Sequence, residues 1–146
     1  MHHKTLHRAD IFPTYLASVG KYIGLSALCL CLAGCATGFH QRGLTGGYED
    51  KQLGPETFQV GFFGNAKVTL DQAHDFACLR AAQVTLDHGF DSFSVLHQRW
   101  DNWESIATVK PYCVLAIHCF KGIGSTTNDF EAVSLQTALK SKYGLQ

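Results

Sequence analysis

The residues with the widest chemical scope in this chain are its six cysteines. A thiolate can attack an electrophile, bind a metal or accept an acyl chain, so the surroundings of each cysteine decide its chemistry. Two of the six lie inside an apolar run, one lies at the end of that run, and three are spread over the second half of the chain. In chain order they are Cys29, Cys31, Cys35, Cys78, Cys113 and Cys119.

The third of these cysteines closes a segment typical of a secretory signal. Basic residues up to Lys21 precede an apolar run over residues 22–33, which is shorter than the roughly 20 residues of a membrane-spanning helix. The run ends in Leu32-Ala33-Gly34-Cys35, which resembles the lipobox of bacterial lipoproteins. In that family the cysteine thiol is alkylated with diacylglycerol, and the signal is cut before it. We therefore expect a lipoprotein signal peptide over residues 1–34 and a lipidated Cys35.

The residue after Cys35 bears on which membrane holds the anchor. In enteric bacteria an Asp at this position resembles an inner-membrane retention signal, and this chain has Ala36 there. Two or three acyl chains hold a protein firmly, because each buried CH₂ contributes about 0.8 kcal/mol. We expect a cell-envelope protein that is lipid-anchored, in the outer membrane and facing the periplasm.

Composition excludes two classes of protein. Charged residues make up 16% of the chain and hydrophobic residues 46%, which is too apolar for a disordered protein. Twelve basic residues balance twelve acidic ones, so no basic excess is available to neutralise the phosphates of a nucleic acid. The glycine-rich stretch after Cys35 predicts a flexible tether over residues 35–56, which leaves residues 57–146 as the folded domain.

The hydrophobic pattern of residues 57–146 predicts the order strand, helix, strand, strand, helix. Alternation indicates strands over 57–63, 92–98 and 112–120. Thr69 and Gln72 predict the start of a helix that runs to about His88, and Asn128 with Glu131 predicts a second helix that ends at Gly144. This order favours an α+β domain, with helices on one face of a small antiparallel-dominated sheet.

Removal of the signal leaves Cys78, Cys113 and Cys119 in the domain. Cys113 and Cys119 share one face of the predicted third strand, about 20 Å apart at 3.3 Å per residue. Because bridged Cα atoms lie at most about 7 Å apart, this pair cannot form a disulfide in a strand. We expect buried, inert thiols. The alternative is a small periplasmic enzyme or thiol-based sensor that uses Cys78, Cys113 or Cys119.

Two tryptophans and one arginine are the other residues singled out by the pattern. Trp100 and Trp103 flank a short polar connector, where indole rings either contact a partner or fold back over a sheet edge. Arg80 lies between two apolar stripes of the first predicted helix, where it either binds an anion or extends past the core to a carboxylate partner. Asp91 and Glu131 are the candidates, and the sequence does not choose between them.

Catalytic and cofactor patterns are missing from the sequence. It contains no Gly-x-Ser-x-Gly elbow, Walker loop or His-Glu-x-x-His motif. His97 and His118 lie on adjacent predicted strands, but with Cys119 directed to the other face they do not supply three ligands for a structural zinc ion. We therefore expect no catalytic residues, no metal and no cofactor.

Several stretches together resemble small bacterial outer-envelope lipoproteins of uncharacterised function. The resemblance covers most of residues 48–140 and departs at Gln83, where Glu is usual, and in a short connector between the second and third strands. The matching stretches are Phe58-x-Val60-x-Phe62-x-Gly64-Asn65, Leu79-Arg80-Ala81-Ala82-x-x-Thr85-Leu86-x-x-Gly89-Phe90, Phe93 and Cys119-Phe120-Lys121-Gly122. The resemblance implies a small domain and an envelope location, and it implies no active site.

These observations favour a non-catalytic binding or structural module of the envelope. The expected partners are the membrane, through Cys35, and an envelope protein or glycan, through the sheet surface or Trp100 and Trp103. No nucleic acid is expected.

Overall fold

The computed structural model describes residues 38–105 and 108–146, which form a five-stranded antiparallel sheet with two helices. The strands lie side by side in the order β1-β2-β4-β3-β5. The expected signal peptide and Cys35 lie outside the described residues. In chain order the elements are β1 (Gly47–Gly54), β2 (Thr57–Phe63), α1 (Leu70–Asp87), β3 (Ser92–Ser105), β4 (Thr108–Phe120), β5 (Asp129–Glu131) and α2 (Ala132–Tyr143). The expected α+β class is confirmed.

Strand β1 corrects the expected tether. It pairs with β2 along its length, with Tyr48 opposite Phe62 and Asp50 opposite Val60, so the expectation of a flexible tether is wrong for residues 47–54. As an edge strand it is held by backbone pairing and buries few side chains. Its sequence is therefore polar and lacks the apolar alternation by which a strand is recognised. Gly47 opens the strand at φ +122°, and a Cβ there would lie 2.5 Å from the carbonyl oxygen of His40.

Helix α1 forms where the sequence predicts it. The Oγ1 atom of Thr69 accepts a hydrogen bond from the backbone N–H of Gln72 at 3.1 Å and so caps the first turn. After the helix the chain turns at Gly89, whose φ of +79° favours glycine. Because α1 buries residues on more than one side, it packs against both the sheet and α2.

The core lies between α1 and one face of the sheet. That face alternates with the opposite one along β2, β4 and the first part of β3, as a strand requires. Cys113 and Cys119 belong to the core together with Leu115 and Ile117, so the predicted apolar face of the third strand is confirmed. The fully buried side chains contributed by the sheet include Phe58, Val60, Phe62, Phe93, Cys113, Leu115, Ile117 and Cys119.

The second helix begins later than expected. The helix does not start at Asn128, because residues 129–131 form β5 at the edge of the sheet next to β3, and Glu131 is the N-cap of the helix. The Phe130 ring stacks on Phe93 with centroids 5.4 Å apart, and this contact favours the extended pairing. Helix α2 follows and ends at Gly144, at φ +63°, as predicted. None of the helices among the described residues is long and apolar enough to cross a membrane.

Candidate binding groove on the open face of the sheet

The face of the sheet opposite α1, here called the open face, is covered by neither helix of the described chain. By strand alternation it carries Gly61 and Phe63 from β2, and Tyr112, Val114 and Ala116 from β4. The centre of this face is built from small residues, with aromatic rings toward the end where β2 finishes. The four non-glycine side chains are half-buried, so they remain available to a partner.

The two tryptophans lie on strand β3 and not on a connector. Trp100 is paired with Cys113 and Trp103 with Lys110, so the expected polar connector is wrong. The β3–β4 hairpin extends past the end of β2, and paired strands satisfy the backbone groups of this polar stretch better than a loop does. Because the two positions differ by three residues, their side chains point to opposite faces of the strand.

This parity separates the two candidate contact residues. Trp100 lies on the α1 side, where its ring centroid is 4.5 Å from that of His74 and its exposure is 43%. Trp103 lies on the open face and is 69% exposed. The structure therefore does not bring the predicted pair together, and Trp103 is the one that faces free space on the open side.

Trp103 borders a groove of about 630 Å³ at one end of the open face. The groove lies between the turn at residues 43–46, the end of β2 and the β3–β4 hairpin. Gly64 ties two of these parts together, because its N–H donates to the carbonyl oxygen of Pro111 at 2.8 Å. A Cβ at position 64 would lie 2.8 Å from Val68, so this close approach requires glycine.

The groove holds two aromatic rings between two guanidinium groups. The Cζ atom of Arg42 lies 3.7 Å from the ring centroid of Phe63, and Phe63 stacks beside Tyr112 with centroids 6.3 Å apart. On the other side, the Cζ atom of Arg99 lies 5.8 Å from the Tyr112 centroid. Cations over ring faces are attracted by the ring quadrupole, so both arginines are pre-positioned.

The charge of the groove is positive. Arg42, Arg99 and Lys110 line it, and no carboxylate is among its lining residues. Arg42 forms an ion pair with Glu49 at 2.7 Å, whereas neither Arg99 nor Lys110 forms an ion pair within the described part of the chain. Flat apolar surfaces next to unpaired cations are suited to a ligand that combines an anionic group with an apolar or planar part.

The three thiols of the domain lie away from this groove, in the core. Cys78, Cys113 and Cys119 are buried and free. Burial raises the pKa of Cys78 and of Cys113 to about 12, and it also raises the pKa of Cys119. Because the thiolate is the nucleophile, thiols with such pKa values are unreactive at neutral pH.

One cysteine and histidine pair was missed by the sequence reasoning. His74 and Cys78 are four residues apart on α1, a spacing that places them on one side of a helix. The Cys78 Sγ atom lies 3.8 Å from Nε2 and 3.9 Å from Nδ1 of His74. Because the sulfur is almost equally far from both nitrogens, it is aligned with the lone pair of neither. The pair does not have the geometry of an activated nucleophile.

The histidines of the sheet do not form a metal site. His97 is paired with Ala116 and Ser94 with His118, so both histidines lie on the open face, as expected. His118 Nε2 lies 3.3 Å from Glu56 Oε2 at the end of the sheet far from the groove. No group of three potential metal ligands occurs among residues 38–105 and 108–146.

Arg80 finds a partner that the sequence reasoning did not consider. Its Nε donates to Asp50 Oδ1 on β1 at 2.8 Å, and its guanidinium lies over the Tyr48 ring. Neither Asp91 nor Glu131 is its partner, so both candidates are wrong. Assigning β1 to a tether had removed the correct carboxylate from consideration.

The same assignment hid the groove. Arg42 was part of the expected tether, and Arg99, Phe63 and Tyr112 carry no motif that marks them as a set. Their common face could have been read from strand alternation once the pairing of β2, β3 and β4 was known.

No protein-family model, curated protein or solved structure matches this chain.

Proposed function

We propose that this protein is a lipid-anchored module of the bacterial envelope that acts by binding, without turnover, through the groove on its open face. The observation that carries the proposal is the groove itself, where stacked rings lie between Arg42, which pairs with Glu49, and Arg99, which forms no ion pair among the described residues. The lipobox-like stretch before Ala36, and the resemblance to envelope lipoproteins, support the anchor.

The chemistry of the domain also favours binding over catalysis. The alternative function, a thiol enzyme or sensor, needs an accessible thiolate beside a base. Cys78, Cys113 and Cys119 are buried, and burial raises the pKa of each thiol. His74, the histidine that contacts Cys78, is not aligned with its sulfur. A thiol mechanism would therefore require the core to open.

Metabolic labelling with a fatty acid tests the anchor. Expressed in a bacterium, the wild-type chain should carry the label and sediment with membranes, and Cys35→Ser should lose both properties. Cys31→Ser removes a neighbouring thiol from the apolar run and should keep both, which makes it the matched control. Label retained by Cys35→Ser would overturn the lipoprotein part of the proposal.

A further inference from the structure

We propose that the groove end of the open face docks on the anionic phospholipid surface of the membrane in which the chain is anchored. This inference rests on the proposed lipidation of Cys35 and names the partner of the groove. Three observations carry it: the small number of residues between Cys35 and the fold, the exposed apolar side chains at the groove, and the cations beside them that form no ion pair among the described residues.

The anchor allows the domain little freedom to leave the surface. Phe39 is already part of the fold, since its ring packs 4.8 Å from Tyr48 and 5.5 Å from Phe76. It lies four positions after Cys35, and an extended chain spans at most about 3.6 Å per residue, or roughly 14 Å over these four steps. Arg42 follows three residues after Phe39 and lines the groove. The chain therefore enters the domain on the α1 side of the β1 edge, where Phe39 packs against Phe76, and reaches the groove at Arg42 three residues later.

Exposed apolar side chains border the groove on two sides. Leu44, at the turn over residues 43–46, is fully exposed, and Trp103 on the hairpin is 69% exposed. Exposure of a leucine and a tryptophan to water at the same groove does not contribute to the stability of the fold. Inserted at a bilayer interface, the leucine buries apolar area, and indole is favoured at the level of the headgroups.

The charges of the same end suit phosphate headgroups. Arg99 and Lys110 project from the open face without ion pairs among the described residues, and each basic residue near an anionic surface adds about fivefold to binding. Asp101 lies on the same face of β3, opposite Tyr112, and opposes this attraction. Because the Debye length is about 8 Å at physiological salt, charges at the far end of the sheet contribute little.

Vesicle sedimentation of the segment Cys35–Gln146 tests the docking. This segment is a compact unit that contains every residue of the core, and Cys35→Ser removes the thiol that would carry the lipid. It should bind vesicles of equimolar phosphatidylglycerol and phosphatidylcholine more tightly than vesicles of phosphatidylcholine alone. The preference should weaken as salt is added.

Charge variants of opposite sign sharpen the test. Arg99→Gln with Lys110→Gln should lower the partition onto anionic vesicles about 30-fold, whereas Asp101→Asn should raise it about fivefold. The control, Lys121→Gln with Lys140→Gln, removes the same charge away from the groove and should change partition by less than about twofold. Thermal unfolding of each variant shows whether the fold is intact.

Three outcomes would overturn the docking inference: no binding to anionic vesicles, equal binding to both vesicle types, or an equal loss in the control variant. Binding of the groove to a soluble envelope protein or glycan, in place of vesicles, would likewise overturn it. None of these results affects the fatty-acid label at Cys35. The labelling experiment therefore tests the lipid anchor, and the vesicle experiment tests the docking surface, independently of each other.

Discussion

At the scale of single residues, burial decides what the thiols of this domain can do. Thr85 donates its hydroxyl to the Ala81 carbonyl oxygen and lies 3.3 Å from the Cys119 sulfur, all within the core. Cys113 has no exposed surface. A thiol in such surroundings packs as a small apolar side chain, and the cost of burying a thiolate keeps it protonated.

Alkylation of the native domain tests this assignment. In the Cys35→Ser segment, Cys78, Cys113 and Cys119 should remain unmodified by a maleimide at pH 7–8, because burial holds the pKa values of Cys78 and Cys113 near 12. All three should react once denaturant is added, as shown by the mass of the intact protein. Rapid native labelling of Cys78 would instead favour the thiol-based alternative.

Residue parity explains why the two tryptophans differ. Sequence reasoning recognised both as contact candidates but placed them on a connector, where side-chain direction is undefined. In a strand, an odd spacing sends Trp100 toward α1 and Trp103 toward the groove. The residue types were thus predictable, whereas their directions depended on an extension of the hairpin that a polar sequence does not signal.

At the scale of elements, the central strands and α1 were predictable from the sequence, whereas the edge strands β1 and β5 were not. The central strands and α1 are strongly patterned, so β2, β4 and α1 were predicted close to their observed bounds. Edge strands β1 and β5 bury few side chains, and their sequences lack the alternation that would identify them. The tether predicted for residues 35–56 also included Arg42, so one wall of the groove was left out of the predicted domain.

Two adjacent carboxylates on β1 provide a test of its place in the fold. Asp50 accepts a hydrogen bond from Arg80 on α1, and the side chains of this pair are 32% and 18% exposed. Asp50→Asn should lower the free energy of unfolding by roughly 1–2 kcal/mol in urea denaturation, since charged hydrogen bonds of partly buried pairs are worth about this much.

The neighbouring residue supplies the control. Glu49 pairs with Arg42 on the surface, where both side chains are more than 40% exposed, so Glu49→Gln should change the unfolding free energy by less than about 1 kcal/mol. If residues 47–54 were a loose tether, both substitutions would be neutral, and that result would contradict the five-stranded sheet.

At the scale of the whole molecule, one face of the sheet forms the core and the other carries the groove. One face, with α1, forms the core that contains the fully buried aromatic and aliphatic side chains of the sheet. The open face carries the groove, which Arg42, Phe63, Tyr112 and Arg99 build from three separate parts of the chain. The sheet's core face was predictable because its alternation is strong, but a site assembled from distant residues required the strand order.

The position of the chain's entry gives this arrangement a direction. Phe39 packs on the fold only four residues after Cys35, and Arg42 lines the groove three residues later. A lipid at Cys35 therefore holds the groove end, and not the far end near His118, close to the membrane. The entry does not select the face, because Phe39 packs against Phe76 of α1; the proposal that the open face at this end meets the bilayer rests on the groove.

Tryptophan fluorescence of the lipidated protein tests the central claim most directly, because the chain has only two tryptophans and they lie on opposite faces of β3. In membranes that contain brominated phosphatidylglycerol, the Trp100→Phe variant, which reports on Trp103, should show a blue-shifted and strongly quenched emission. The reciprocal Trp103→Phe variant, which reports on Trp100 beside His74, should show neither change. Quenching of Trp100 equal to or greater than that of Trp103, or no quenching of either, would contradict docking of the open-face groove on the membrane.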